Sequence, residues 1–106
     1  MSSIPYIQDS EFEQWISDDT VAVIDFTATW CGPCKKISPL LEQLAADYQG
    51  RAKVAKVDID HNKTVAKQLG IRSIPAVLVF KSGELVETLV GIHPYTKFTT
   101  VLDQHL

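Results

Sequence analysis

The sequence predicts an α/β fold: a central mixed sheet of four to five strands, flanked by four helices on both faces, in one domain over residues 1–106. Three observations predict it. Short apolar runs that read as strands alternate with segments of helical period. The last two strand runs are joined by a tight turn, so the sheet closes on an antiparallel hairpin. A chain of 106 residues, 45% hydrophobic and 22% charged, suits one core that needs no staples.

The elements follow in order. An edge strand around Ile4–Ile7 opens the sheet. Phe12, Trp15 and Ile16 fall at helical spacing within residues 10–16, with Asp9 or Ser10 as N-cap. "VAVIDFTA" (21–28) is a short buried strand, rich in β-branched and aromatic residues. Ile37, Leu40, Leu41, Leu44, Ala45 and Tyr48 then trace one helix face, which Gly50 ends. Pro39 lies inside that helix, removes a backbone hydrogen bond and is expected to kink it, a structural role. "AKVAKVDI" (52–59) is the next strand, and residues 62–69 form a short helix around Val65 and Leu69, stopped by Gly70. "PAVLVF" (75–80) is a third buried strand, "KSGE" a hairpin turn, and "LVETLV" (85–90) its half-exposed partner. Pro94 opens a last helix carrying Phe98, Val101 and Leu102.

A net charge of −3 disfavours nucleic acid and anionic membranes as partners, since both attract basic patches. No apolar run approaches membrane-spanning length. The opening "MSSIPYIQDSEFEQW" has no basic start followed by an apolar stretch, so no secretory signal is read and the cytoplasm is the expected compartment. In a reducing compartment a cysteine pair is more often redox-active or metal-binding than structural.

Both cysteines stand in "TWCGPCKK" (29–36). A disulfide closing so short a loop constrains the unfolded chain very little. A zinc site takes about four ligands, and beside this pair there are only His61, His93 and His105, without a close His pair. No metal is therefore expected. Inert helix cysteines remain the plain alternative, against which the Gly-Pro filling and the position before a helix weigh. Counting back from Ile37, Cys34 falls on the buried face. Cys31 falls at the helix start, beside unpaired N–H groups and the positive end of the helix dipole, which favour the thiolate. Cys31 is thus expected to be exposed and to attack first, with Cys34 shielded and resolving the mixed disulfide. Asp25 is the odd residue in an apolar strand, on a face with Val21 and Val23. Either it is buried there, with its pKa raised, or it ends the strand facing solvent.

Four stretches, "DFTATWCGPCK" (25–35), "KVDID" (56–60), "GIRSIPAVLVFKSGE" (70–84) and "VG" (90–91), resemble the thioredoxin family in order and spacing over essentially the whole chain. The Gly-Pro filling is the specific mark, since related disulfide isomerases usually carry His for the proline and glutaredoxins Pro-Tyr. The resemblance implies the thioredoxin fold and reduction of protein disulfides by Cys31 and Cys34. It selects the buried reading of Asp25, as the acid that accepts the Cys34 proton through water. It matches Lys56 to a lysine that approaches this acid, although a surface lysine laid along apolar neighbours is the alternative. It matches Trp30 to the tryptophan before the nucleophile and makes the Ile74–Pro75 bond cis, facing the cysteines. The backbone at Ile74 would then bond an extended substrate peptide. Trp30, Gly32, Pro33, Ile74, Pro75 and Gly91 would frame an apolar contact rim. Thr27 stands where many bacterial members have a second tryptophan. His93 is expected to be a solvated loop histidine or a residue that tunes partner choice.

The resemblance further implies no bound cofactor beyond the redox disulfide, with electrons from NADPH or ferredoxin through a thioredoxin reductase. Partners would be that reductase and disulfide-containing proteins, and the chain is expected to be a monomer. An oxidant or isomerase of an export compartment is a second enzyme reading, disfavoured by Pro33 and the missing leader. A binding or assembly module that uses the apolar rim without the thiols is a reading from another class.

Overall fold

A computed structural model describes residues 4–106. Residues 1–3, which the sequence reading places in the same domain, lie outside the described residues. β1 (Val21–Thr27) is the strand on which the site is built. It lies between β2 (Ala52–Asp58) and β3 (Ala76–Lys81), and β4 (Glu84–Val90) forms the far edge, in the order β2-β1-β3-β4. β1 pairs parallel with β2 and antiparallel with β3, so the sheet is mixed. Its central position explains the unbroken apolar run, because both faces are covered.

Successive side chains of β1 serve two cores. Val21 and Val23 pack with Ile37, Leu41 and Leu44 of α2 (Gly32–Asp47) and with Phe98, Val101 and Leu102 of α4 (Tyr95–Asp103). Ala22, Ile24 and Phe26 pack with Phe12 and Ile16 of α1 (Phe12–Ile16) and with Val65 and Ala66 of α3 (Lys63–Gln68). Asp25 therefore continues the α2-facing row of Val21 and Val23. The four helices cover both faces, and no helix among the described residues is long and apolar enough to cross a membrane. The hairpin turns at Ser82 and Gly83, with φ of 52° and 83°, the left-handed pair that a two-residue turn requires.

Two expectations about the N-terminal segment are corrected. The strand around Ile4–Ile7 shrinks to one parallel bridge, Tyr6 to Lys56. Ile7 N–H donates to the Lys56 carbonyl at 2.8 Å and Lys56 N–H to the Pro5 carbonyl at 2.9 Å, but Pro5 has no N–H with which to extend the ladder. Among the described residues the sheet therefore has four strands, the lower of the expected numbers. Nor do Asp9 and Ser10 cap the first helix. A single 3₁₀ turn (Asp9–Glu11) precedes α1, and Gln8 N–H donates to the Glu11 carboxylate at 2.8 Å.

The Asp9 carboxylate instead accepts from the N–H groups of Thr64 and Val65, at 3.2 and 3.1 Å, and so caps α3 from another part of the chain. Asn62, beside the start of α3, is turned away to hold the Asp9 N–H at 2.9 Å and the Asp58 carbonyl at 3.2 Å. A six-residue helix depends on such partners, because isolated helices this short are not stable. Asp9→Ala is expected to lower stability by about 1 kcal/mol, read as a lower urea midpoint at unchanged m-value.

Candidate active site around the Cys31–Cys34 disulfide

The chain leaves β1 at Thr27, and the Ala28 carbonyl accepts the Cys31 N–H at 3.2 Å in a tight turn. Cys31 is the N-cap of α2, with extended backbone (φ −89°, ψ 109°). Gly32 and Pro33 fill the first two helical positions, where the missing N–H of proline costs nothing. The first N–H that can reach back is that of Cys34, which donates to Cys31 Sγ at 3.1 Å. Sulfur here does what a Ser or Asp oxygen does at an ordinary N-cap. The two cysteines form a disulfide with Cα atoms 5.3 Å apart.

The expected exposure of Cys31 is not observed. Cys31 is 4% and Cys34 3% exposed, both packed with Ala28 and against Ile59 and Ile74. The loop after β2 and the segment before β3 close over the sulfurs from two sides. The difference between the cysteines lies in the hydrogen bond and in the position of Cys31 at the helix N-terminus, both of which favour negative charge on Cys31.

Asp25 is buried, 1% exposed, and its Oδ1 has no hydrogen-bond partner among the described residues. A carboxylate so placed is costly, and a protonated carboxyl far less so. Burial raises the Asp25 pKa from 3.8 to about 7, against the opposing pull of the Lys56 ammonium. Lys56 is the register partner of Asp25 on β2. It is 7% exposed. Its Nζ donates to Ser38 Oγ at 2.7 Å and lies 5.9 Å from the Tyr6 ring centre. Beside these groups opens a cleft of about 270 Å³ lined by Cys34, Ser38, Lys56, Tyr6, Thr27 and Asp58, among others. Lys56→Met is expected to move the Asp25 pKa above about 7 by removing the one charge that lowers it. Carboxyl-carbon NMR of labelled aspartate would show this.

Around the disulfide, Trp30 is 66% exposed, with its ring held by Nε1–H donating to Asp60 Oδ2 at 2.8 Å. Gly32 and Pro33 are exposed, Ile74 and Gly91 are half-buried and Pro75 is buried. The Ile74–Pro75 bond is cis. Gly91, at φ 87°, donates its N–H to the Pro75 carbonyl at 2.9 Å and so ties the end of β4 to this segment. Ile92, 54% exposed, adds an apolar side chain next to Gly91 that the sequence reading missed. His93 stands in the loop before α4. It is half-buried, its Nε2 donates to the Val90 carbonyl at 2.9 Å, and its ring stands edge-on to Phe98. Ser38 and Asp60 were also missed. Ser38 stands one helical turn after Cys34 on α2, a spacing that could have revealed it. No local signal pairs Asp60 with Trp30.

A family model described as Thioredoxin matches residues 3–104. The thioredoxin of Staphylococcus epidermidis is 46% identical over 104 residues, covering 98% of this chain and 99% of the relative. That of Staphylococcus aureus is 44% identical over the same length and with the same coverage. The chain belongs to the thioredoxin family. With its Cys-Gly-Pro-Cys pair closed as a disulfide at the N-terminus of α2, it is a dithiol–disulfide oxidoreductase, a protein-disulfide reductase whose redox-active centre is Cys31–Cys34. Disulfide-containing proteins are the substrate class that thioredoxin-family membership brings with it.

Proposed function

We propose that this chain is a single-domain cytoplasmic reductant, residues 1–106, in which Cys31 attacks and Cys34 resolves. The Cys34 N–H bonded to Cys31 Sγ carries the reading, because it stabilises a thiolate on Cys31 and on no other sulfur. The Cys31 thiolate displaces one sulfur of a target disulfide, which leaves as thiolate, and a Cys31–substrate disulfide forms. Asp25 then takes the Cys34 proton, through water in the adjoining cleft. Cys34 attacks Cys31 Sγ, the second substrate sulfur leaves, and the Cys31–Cys34 disulfide has taken up the two-electron oxidation that the target has lost. Lys56 holds the carboxylate form of Asp25 within reach of neutral pH.

Trp30, Gly32, Pro33, Ile74, Pro75 and Gly91 form the substrate rim in this reading, with the backbone at Ile74 pairing with an extended segment of the target. The rim is apolar and uncharged, which suits varied sequences. No prosthetic group is required. Electrons come from a thioredoxin reductase that draws on NADPH or ferredoxin, and the working form is a monomer.

The test is the reduction potential of the pair, obtained by equilibrating the protein in defined dithiol buffers and following Trp30 fluorescence. A potential more reducing than the cytosolic glutathione pool is expected. A markedly more oxidising one would make the chain a disulfide donor and overturn the proposal.

A further inference from the structure

The hydrogen bonding of Lys56 presents a puzzle. A buried ammonium sits on the strand beside an acid with an unpartnered oxygen, yet its hydrogen bond goes elsewhere, to Ser38 Oγ at 2.7 Å. Ser38 projects from α2 four residues after Cys34, just before Pro39, into the same cleft as Cys34 and Lys56. The hydroxyl is neutral. It satisfies the ammonium without supplying a countercharge, and the attraction between Lys56 and Asp25 is left acting at longer range.

We propose that Ser38 is a positioning residue that holds the Lys56 ammonium in the cleft and out of contact with Asp25, and thereby sets how readily Asp25 takes the proton of Cys34. The inference rests on the reading of Asp25 as the base. The groups that face this pocket are few. β2 contributes Lys56 and its last residue Asp58, α2 contributes Cys34 and Lys35, and the N-terminal segment contributes Tyr6. β3 places apolar Val77 opposite Asp25. Of the charged groups, Lys56 acts on Asp25 against the effect of burial. With Ser38 holding it, Asp25 keeps a pKa of about 7, close to neutral pH, and can both accept and return a proton. Were Lys56 in contact with the carboxylate, Asp25 would be locked as an anion and a poor base.

The test uses the reduced full-length chain and its Ser38→Ala and Ser38→Thr variants, with Asp25 followed by carboxyl-carbon NMR. Alanine is the best helix former and leaves the fold undisturbed. The Asp25 midpoint is expected to fall by about one pH unit or more in Ser38→Ala, as Lys56 turns to the carboxylate. Ser38→Thr, which keeps the hydroxyl, is expected to restore it. In a Lys56→Met background Ser38→Ala is expected to change nothing, because the effect runs through Lys56. An unchanged or higher midpoint in Ser38→Ala, as when Lys56 turns to Asp58 instead, would overturn the proposal, and so would a shift that persists in Lys56→Met. The pH profile of mixed-disulfide resolution separates this failure from that of the base. If the midpoint moves and the profile does not follow, Asp25 is not the base while the positioning by Ser38 stands. If the profile follows Asp25 in the wild type and Ser38→Ala moves neither, the base stands and Ser38 falls.

Discussion

Asp25→Asn is expected to make the protein more stable at neutral pH and a slower enzyme. The sign follows from the proton. The folded-state pKa of about 7 lies above the ordinary 3.8 of the unfolded chain, so the native state holds the proton more tightly. The stability this contributes is fully present below pH 3.8 and is lost as pH rises through about 7. Above that, the ionised and buried carboxylate costs roughly 4 kcal/mol, at 1.36 kcal/mol for each pKa unit. Asparagine never ionises. It is expected to recover part of that amount, less about 1–3 kcal/mol for burying an amide that lacks a full set of partners. Denaturant melts between pH 4 and 8 are expected to show the wild type losing stability across this range and Asp25→Asn staying nearly flat. The kinetic cost is expected in one step only. Resolution of the mixed disulfide slows by about a hundredfold at pH 7, the scale of a lost general base, while the first attack by Cys31 is unchanged. Parallel stability curves for the two proteins would show that Asp25 is ionised throughout, and the base role would fall with it.

Replacing Cys31 by serine is expected to have the largest effect on turnover. Reduction of a disulfide peptide falls by more than about a thousandfold, because the attacking sulfur is gone. The fold should survive, since serine is itself a preferred N-cap and accepts the Cys34 N–H in place of sulfur. Cys34→Ser is expected to lose turnover as completely but for a different reason: one attack occurs, and nothing releases the product. The double serine variant addresses the binding-module reading. A module that works through its rim would keep its function without either sulfur, whereas a reductase loses all of it. Equal residual turnover in Cys31→Ser and wild type would leave the chemistry to some other group.

Most of the architecture was legible because it is written in local periodicity. β1 reads as a continuous apolar run because both its faces are buried, and α2 shows its face through Ile37, Leu41 and Leu44. Asp25 stood out as the single acid in that strand, although the residues alone left its burial open. What was not legible depends on long-range encounters. Asp9 reads as a cap for the helix it precedes, but it caps α3, 55 residues further along. Cys31 reads as exposed because its own segment says nothing of Ile59 and Ile74, which close over it. Ser38 is unremarkable on α2 until β2 brings Lys56 to it. The cis bond before Pro75 came from the family resemblance, and no local pattern in the sequence announces it.

The most direct test of the account is the identity of the attacking sulfur. Reduced Cys34→Ser and Cys31→Ser proteins would each be mixed with a disulfide-containing peptide, and the adducts digested and located by mass spectrometry. The account predicts a rapid, persistent mixed disulfide through Cys31 in Cys34→Ser, and only slow adduct formation through Cys34 in Cys31→Ser. Equally fast capture by Cys34 would contradict it, because the hydrogen bond and the helix N-terminus would then confer no advantage on Cys31.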